Sequence, residues 1–124
     1  MKKEIGNFRK ITSSTGKLIL AGKNASQNEE LIKNNVQAEE IIMHTKSAGS
    51  PFVVIKGEAE KQDIKEAAVF CAKYSQEWKK RKRDKDIEVH IFKGKDIQKE
   101  KGMKIGTFGV KKYKIIKVDK TDII

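Results

Sequence analysis

Residues 44–55, HTKSAGSPFVVI, place a histidine, a lysine and a serine directly before an apolar run. Three interpretations of this segment are possible: catalysis, phosphate binding or a purely structural role. Ser50, His44 and Asp63 could form a catalytic triad, but the sequence around Ser50 lacks the pattern of a nucleophile elbow. The backbone N–H groups of Gly49 and Ser50, with the charge of Lys46, could instead bind a phosphate oxygen. The third interpretation is that the segment only connects two strands.

A second polar segment, GKNASQN at residues 22–28, precedes the first predicted helix. The positive end of a helix dipole and several polar side chains would meet there, which suits a phosphate group. The side chains that we expect to bind phosphate are those of Lys23, Asn24, Gln27 and Asn28. We also keep open that Asn24, Asn28 and His44 only hydrogen-bond this loop to the neighbouring strand.

A basic run, KKRKRDK at residues 79–85, places six cations in seven residues at the predicted end of a helix. Residues 79–117 carry 15 Lys or Arg against 5 Asp or Glu, so they hold almost all of the formal net charge of +11. Such a field favours polyanions, although cations also complement a helix C-terminus. We expect phosphate contacts from Lys79, Lys80, Arg81, Lys82 and Arg83. The patch could extend through Lys93, Lys95, Lys99, Lys101 and Lys104.

The remaining motifs argue against an enzyme and against a bound metal. Two histidines and one cysteine stand without any paired metal-ligand spacing, so we expect no metal and no cofactor. No apolar run approaches the length that spans a membrane, and residues 1–10 lack the apolar core of a signal peptide. We therefore expect a cytoplasmic protein that does not bind membranes.

The pattern of apolar residues predicts the elements that position these groups. Strands are expected at residues 8–12, 17–22, 41–46, 52–57 and 87–92, and a closing hairpin at 105–110 and 113–118. Ser26 with Glu29, and Asp63 with Glu66, read as capping boxes that open helices at about 26–35 and 64–82. The predicted fold class is α+β, one domain over residues 1–124. It consists of a mostly antiparallel sheet with one long helix on one face and one short helix.

The aromatic residues indicate which kind of nucleic acid would bind. The five phenylalanines lie in or beside apolar runs, which leaves Tyr74, Tyr113 and Trp78 as candidates for exposure. Few stacking surfaces favour recognition of the backbone and shape of structured RNA over reading of single strands.

Three segments in order, GKNASQNEELI (22–32), IMHTKSAGSPFVVI (42–55) and EAAVFCAKYSQEW (66–78), resemble the NFACT RNA-binding domain. That domain is the C-terminal module of bacterial RqcH, of fibronectin-binding-protein-A-like proteins and of eukaryotic NEMF. The resemblance implies binding of tRNA or ribosomal RNA, and of the large ribosomal subunit, in ribosome-associated quality control. The other domains of those proteins do not fit in 124 residues, so the chain resembles a stand-alone, archaeal form. The chain departs from the family pattern at Lys23, often arginine, and at Pro51, often histidine.

Three alternatives remain open at this point. Phosphate contacts alone would also fit a DNA-binding protein, and the basic face would also fit an adaptor that docks an acidic protein. An RNA-processing enzyme that uses His44 is the third alternative. The sequence leaves the oligomeric state open.

Overall fold

Within the described residues, the protein is a six-stranded antiparallel sheet with the helices Ala25–Asn34 and Lys61–Lys73 packed on opposite faces. A computed structural model describes residues 8–45, 50–76, 78 and 86–123. The strands are β1 (Arg9–Thr12), β2 (Leu18–Ala21), β3 (Ile41–Thr45), β4 (Val53–Ile55), β5 (Asp86–Lys93), β6 (Ile97–Gln98), β7 (Gly109–Val110) and β8 (Lys114–Asp119). The helices are α1 (Ala25–Asn34) and α2 (Lys61–Lys73), and short 3₁₀ turns span Gly94–Asp96 and Lys120–Asp122. The large sheet has the order β1-β2-β4-β3-β5-β8, and β6 pairs with β7 separately.

The core has two layers because the central strands are apolar on both sides. Val53 and Ile55 face α2, whereas Val54 faces α1, and all three residues are fully buried. Burying each such side chain contributes about 1.5–3 kcal/mol. The small residues Ala67 and Ala68 let α2 lie close against the sheet. The predicted α+β class and the prediction that residues 52–55 are covered on both faces are confirmed.

Both helices begin earlier than the capping boxes predicted. Asn24, rather than Ser26, caps α1, and its side chain accepts a hydrogen bond from the N–H of Gln27 at 2.9 Å. Helix α2 begins at Lys61, and the Asp63 carboxylate accepts from the N–H of Glu60 at 2.8 Å. The predicted registers were wrong because several polar residues near each helix start are able to cap, and packing selects among them.

Helix α2 also ends earlier than the predicted residue 82. Its last residue is Lys73, and the Ser75 hydroxyl then donates to the carbonyl of Ala72 at 2.7 Å. The Ser75 hydroxyl also accepts from the N–H of Trp78 at 3.1 Å. A serine that bonds to nearby backbone in this way competes with the helical hydrogen bonds.

The predicted hairpin of residues 105–110 and 113–118 does not form. Residues 114–119 instead form β8, which pairs with the long strand β5, while β7 pairs with β6. The Gly106 N–H donates to the Glu29 carboxylate at 2.8 Å, so residues 105–108 lie against α1 rather than beside β8. This arrangement carries the 105–108 loop to the site described next.

Candidate nucleic-acid interface

A cleft of about 380 Å³ opens where α1, the ends of β3 and β4, and the 105–108 loop converge. It is lined by both predicted polar segments, although they are about twenty residues apart in sequence. The predicted residues that line it are Lys23, Asn24, Asn28, His44 and Ser50. Gln27 is not among the lining residues. The structure therefore brings five of the predicted site residues together around one cavity.

Ser50 is the hydrogen-bonding centre of the cleft floor. It is 1% exposed, and its hydroxyl accepts from the Thr45 hydroxyl at 2.7 Å and from the N–H of Gln76 at 3.1 Å. Its carbonyl lies 3.0 Å from Nε2 of His44, which must carry the proton because a carbonyl only accepts. The His44 ring also lies 4.4 Å from the ring of Phe52. These contacts hold His44 in place through its ring nitrogen.

Asn28 joins α1 to the start of β4. Its Oδ1 accepts from the N–H of Phe52 at 3.1 Å, and its amide donates to the Ser50 carbonyl at 3.4 Å. This close approach depends on Gly22, where a Cβ atom would lie 2.1 Å from Asn28 Oδ1. Asn28 is buried, and its amide oxygen and nitrogen both bind backbone. Its described contacts are those of a brace between two elements.

The N-terminus of α1 is closed by its own side chains. Asn24 accepts from the N–H of Gln27, and the Gln27 side chain accepts in turn from the N–H of Lys23 at 2.9 Å. One N–H group of the first helical turn, that of Gln27, and the N–H of Lys23 just before the helix are therefore already bound. The side chain of Lys23 is exposed and lines the cleft. Lys23 thus carries the cationic character of this segment.

Glu29 fastens the 105–108 loop to α1. Its carboxylate accepts from Lys33, from the Gly106 N–H and from Lys99, and these bonds lower its pKa to about 2. Gly106 has a φ of +80°, and a Cβ there would lie 2.9 Å from Cα of Ala25. A glycine is needed for both reasons.

Several residues of the cleft were not predicted from the sequence. Arg9 lines it with its guanidinium 4.0 Å from the centre of the Tyr74 ring, a cation–π contact. His90 lines it because it pairs with His44 in the β3–β5 register. The alternation of residues 87–92 places His90 on the same face as Phe92, a signal that could have marked it. That alternation does not show that β5 pairs with β3, which is what brings His90 opposite His44.

Only part of the predicted basic patch can be placed. Lys46, Gly49 and the run Lys79, Lys80, Arg81, Lys82 and Arg83 lie outside the described residues. Lys93 and Lys95 both bind Glu39, at 3.0 and 3.3 Å, and lower its pKa. Lys99 binds Glu29 at 3.0 Å and lies 4.8 Å from the Phe108 ring centre. Each of these three lysines has an acidic partner within the fold, and the extension of the patch through them stays a prediction.

Lysines further along the chain, among them the predicted Lys101 and Lys104, are not paired in this way within the described ranges. Residues 101–117, here called the lysine segment, contain six lysines and no acidic residue. All six are exposed, and none is in an ion pair with another residue of the described ranges. They are Lys101, Lys104, Lys111, Lys112, Lys114 and Lys117. The lysine segment includes the 105–108 loop and therefore borders the cleft.

The fold and the site define a small basic α+β domain with a polar cleft beside unpaired lysines. Residues 7–112 match the family described as the NFACT protein RNA binding domain, and the chain belongs to this family. The resemblance inferred from the three sequence segments is thereby confirmed.

The chain is also similar to two curated relatives and to one solved structure. It is 36% identical over 88 residues to the archaeal Rqc2 homolog aRqcH of Methanocaldococcus jannaschii, which covers 64% of this chain and 13% of that protein. It is 36% identical over 95 residues to the Rqc2 homolog RqcH of Bacillus subtilis, covering 76% of this chain and 16% of the relative. The C-terminal part of the fibronectin/fibrinogen-binding protein from Streptococcus suis shares the fold. Its TM-score is 0.80 at 24% identity, over 96% of this chain and 47% of that one.

No helix within the described ranges is both long and apolar enough to cross a membrane.

Proposed function

We propose that this domain binds structured RNA, tRNA or ribosomal RNA, in the cytoplasm as part of ribosome-associated quality control. Membership of a family of RNA-binding domains supports the class of ligand, and two relatives named as Rqc2 homologs support the process. The observation that carries the proposal is the lysine segment, which has six exposed cations without an acidic partner in the part of the chain that the structure describes. We propose that the domain binds this RNA on the large ribosomal subunit.

The charge pattern favours a polyanion over a small acidic ligand. The lysine segment contributes residues 105–108 and Val110 to the cleft lining, and it carries six cations, more than one phosphate would need. Each cation that is not paired with a neighbouring carboxylate can neutralise a phosphate and release its counterion. The predicted phosphate contacts of Lys79, Lys80, Arg81, Lys82 and Arg83 would increase the number of neutralised phosphates. Binding is therefore proposed to rest on the nucleic-acid backbone, without catalysis and without a cofactor or metal.

The first test measures affinity for a tRNA as a function of salt concentration. If about four phosphates are neutralised, affinity should fall by roughly three orders of magnitude for a tenfold rise in salt. Duplex DNA of similar length serves as the competitor, because RNA binding through A-form shape predicts weaker binding of DNA. A flat salt response, or equal affinity for duplex DNA, would contradict the proposal.

The same assay distinguishes the proposed face from general basicity. Replacing Lys23 and Lys112 together by Gln should lower affinity about tenfold and reduce the salt slope by about 2. The matched control replaces Lys61 and Lys65, which are exposed on α2 at the other face of the sheet. Both double variants remove two surface charges, so their melting temperatures should stay near that of the parent. Equal loss of affinity in both variants would show that net charge alone drives binding.

A further inference from the structure

The lysine segment also contains exposed apolar side chains. Contacts with the sugar–phosphate backbone of RNA would not explain their exposure. Three large hydrophobic residues of the described ranges are half or more exposed: Ile105 at 63%, Tyr113 at 51% and Ile115 at 50%. Each is related in position to His90. Ile105 lines the same cleft as His90, and Ile115 is the cross-strand partner of His90. The Tyr113 ring stacks on the His90 ring.

The stack of His90 and Tyr113 is flat and close. The two ring centroids are 4.4 Å apart and the planes are inclined by only 10°. His90 pairs in register with His44, whose ring lies against Phe52, and Phe108 meets Phe52 edge-on at 5.6 Å. A row of rings therefore runs from the interior of the cleft across β3 and β5. It ends at Tyr113, half of whose surface is exposed.

We propose that Tyr113 is a stacking surface for an unpaired nucleobase, so that the RNA bound by this domain presents at least one extruded nucleotide. This inference rests on the proposed function and adds to it the local structure of the ligand. Base–aromatic stacking does not depend on which base is present, because every base has a π face. From the sequence, recognition of the RNA backbone and shape is favoured over base-by-base reading of single strands, and the stacking surface adds one base contact to it.

The surroundings of Tyr113 favour a nucleotide over a protein partner. Lys112 and Lys114 flank it in sequence, and the whole lysine segment lacks an acidic residue. Lysine is depleted at protein–protein interfaces relative to the rest of the surface. A nucleotide needs both kinds of group at once, a flat apolar surface for its base and cations for its phosphate. The other two candidate aromatic residues have less ring surface available for a base. Tyr74 already lies under Arg9, and Trp78 is only partly exposed.

The test compares two RNA hairpins that differ by one unpaired uridine in the stem. The parent protein should bind the bulged hairpin about tenfold more tightly than the fully paired one, in keeping with the contribution of one stacked base. Tyr113→Leu should bind both hairpins with the affinity that the parent has for the paired one. Tyr113→Phe is the matched control, and it should keep the preference because the ring is retained.

A second readout uses the parent protein and is independent of how the variants fold. The unpaired uridine is replaced by 5-iodouridine, which forms photochemical crosslinks to aromatic side chains in contact with it. The crosslinked peptide identified by mass spectrometry should contain Tyr113. A crosslink confined to other residues would overturn the proposal, as would a preference for the bulge that Tyr113→Leu retains.

The outcomes also separate this inference from the proposed function. If both hairpins bind equally and with a steep salt dependence, RNA binding stands and the stacking surface is refuted. The exposed residues around His90 would then be better explained by a protein contact. If neither hairpin nor tRNA binds in a salt-dependent way, the proposed function itself fails.

Discussion

Two polar clusters of this domain are built from similar residues and behave in opposite ways. Around Asp63, the hydroxyls of Ser13 and Thr15 each donate to one carboxylate oxygen at 2.6 Å, and the other oxygen accepts from the N–H of Glu60. Lys17 lies 3.7 Å away. We call this the Asp63 cluster.

The Asp63 cluster is closed, whereas the cleft is open. Asp63 is fully buried, and its hydrogen bonds from Ser13, Thr15 and Glu60 lower its pKa to about 2. In the cleft, Ser50 and Asn28 are similarly occupied, but Lys23 presents its amine to solvent. Tyr113, which stacks on the cleft residue His90, is half exposed. The comparison teaches that polarity alone does not mark a binding site. What matters is whether the fold itself satisfies the group.

The largest effect is expected from Asp63→Ala. It removes the acceptor of two hydroxyls and one N–H, and leaving buried donors unsatisfied is strongly destabilising. The melting temperature should fall by about 10 °C or more. RNA affinity, measured well below the melting temperature, should not change. Glu58→Ala, which removes an exposed carboxylate nearby in sequence, is the control and should leave both quantities unaltered. A normal melting temperature for Asp63→Ala would show that the cluster is not structural.

The second effect is the acid dependence of stability. Asp63 and Glu29 have pKa values of about 2, below their ordinary values of 3.8 and 4.5. Groups whose pKa is lowered by folding stabilise the fold fully above the unfolded pKa and lose that contribution as the pH falls towards the folded one.

The melting temperature should therefore be nearly constant above about pH 5 and should decline between about pH 4.5 and 2. In the double variant Asp63→Asn, Glu29→Gln, the decline should be shallower, because these two groups no longer bind protons. An equally steep decline in that variant would assign the acid sensitivity to other carboxylates.

The smallest effect separates two roles within the cleft itself. His44→Ala removes the hydrogen bond to the Ser50 carbonyl and the contact with Phe52, so the melting temperature should fall by about 4–8 °C. RNA affinity measured at low temperature should fall less than in the variant that lacks Lys23 and Lys112. The reverse order, a stable protein with abolished RNA binding, would make His44 a direct contact. Loss of an RNA cleavage activity with binding retained would favour the enzymatic alternative.

Local patterns predicted the strands and the classes of residue in the site. The alternation and apolar runs located β1 to β5, since these patterns follow from the period of a strand. The segments around Lys23 and around His44 were singled out because polar groups beside glycine and small residues suit a loop that binds a ligand. The charge excess in the last third of the chain was likewise visible in the sequence.

The ion pairs of the lysines and the pairing of β8 with β5 were decided only by the tertiary structure. Which lysines remain available depends on whether Glu39 and Glu29 lie within reach, and these carboxylates are more than fifty residues away from Lys93 and Lys99 in sequence. The stack on His90 depends on β8 pairing with β5, whereas the local pattern indicated a hairpin with residues 105–110. A sequence determines what each segment prefers by itself. The neighbours that satisfy or expose its groups follow from long-range packing, because burial energy is gained only when distant segments meet.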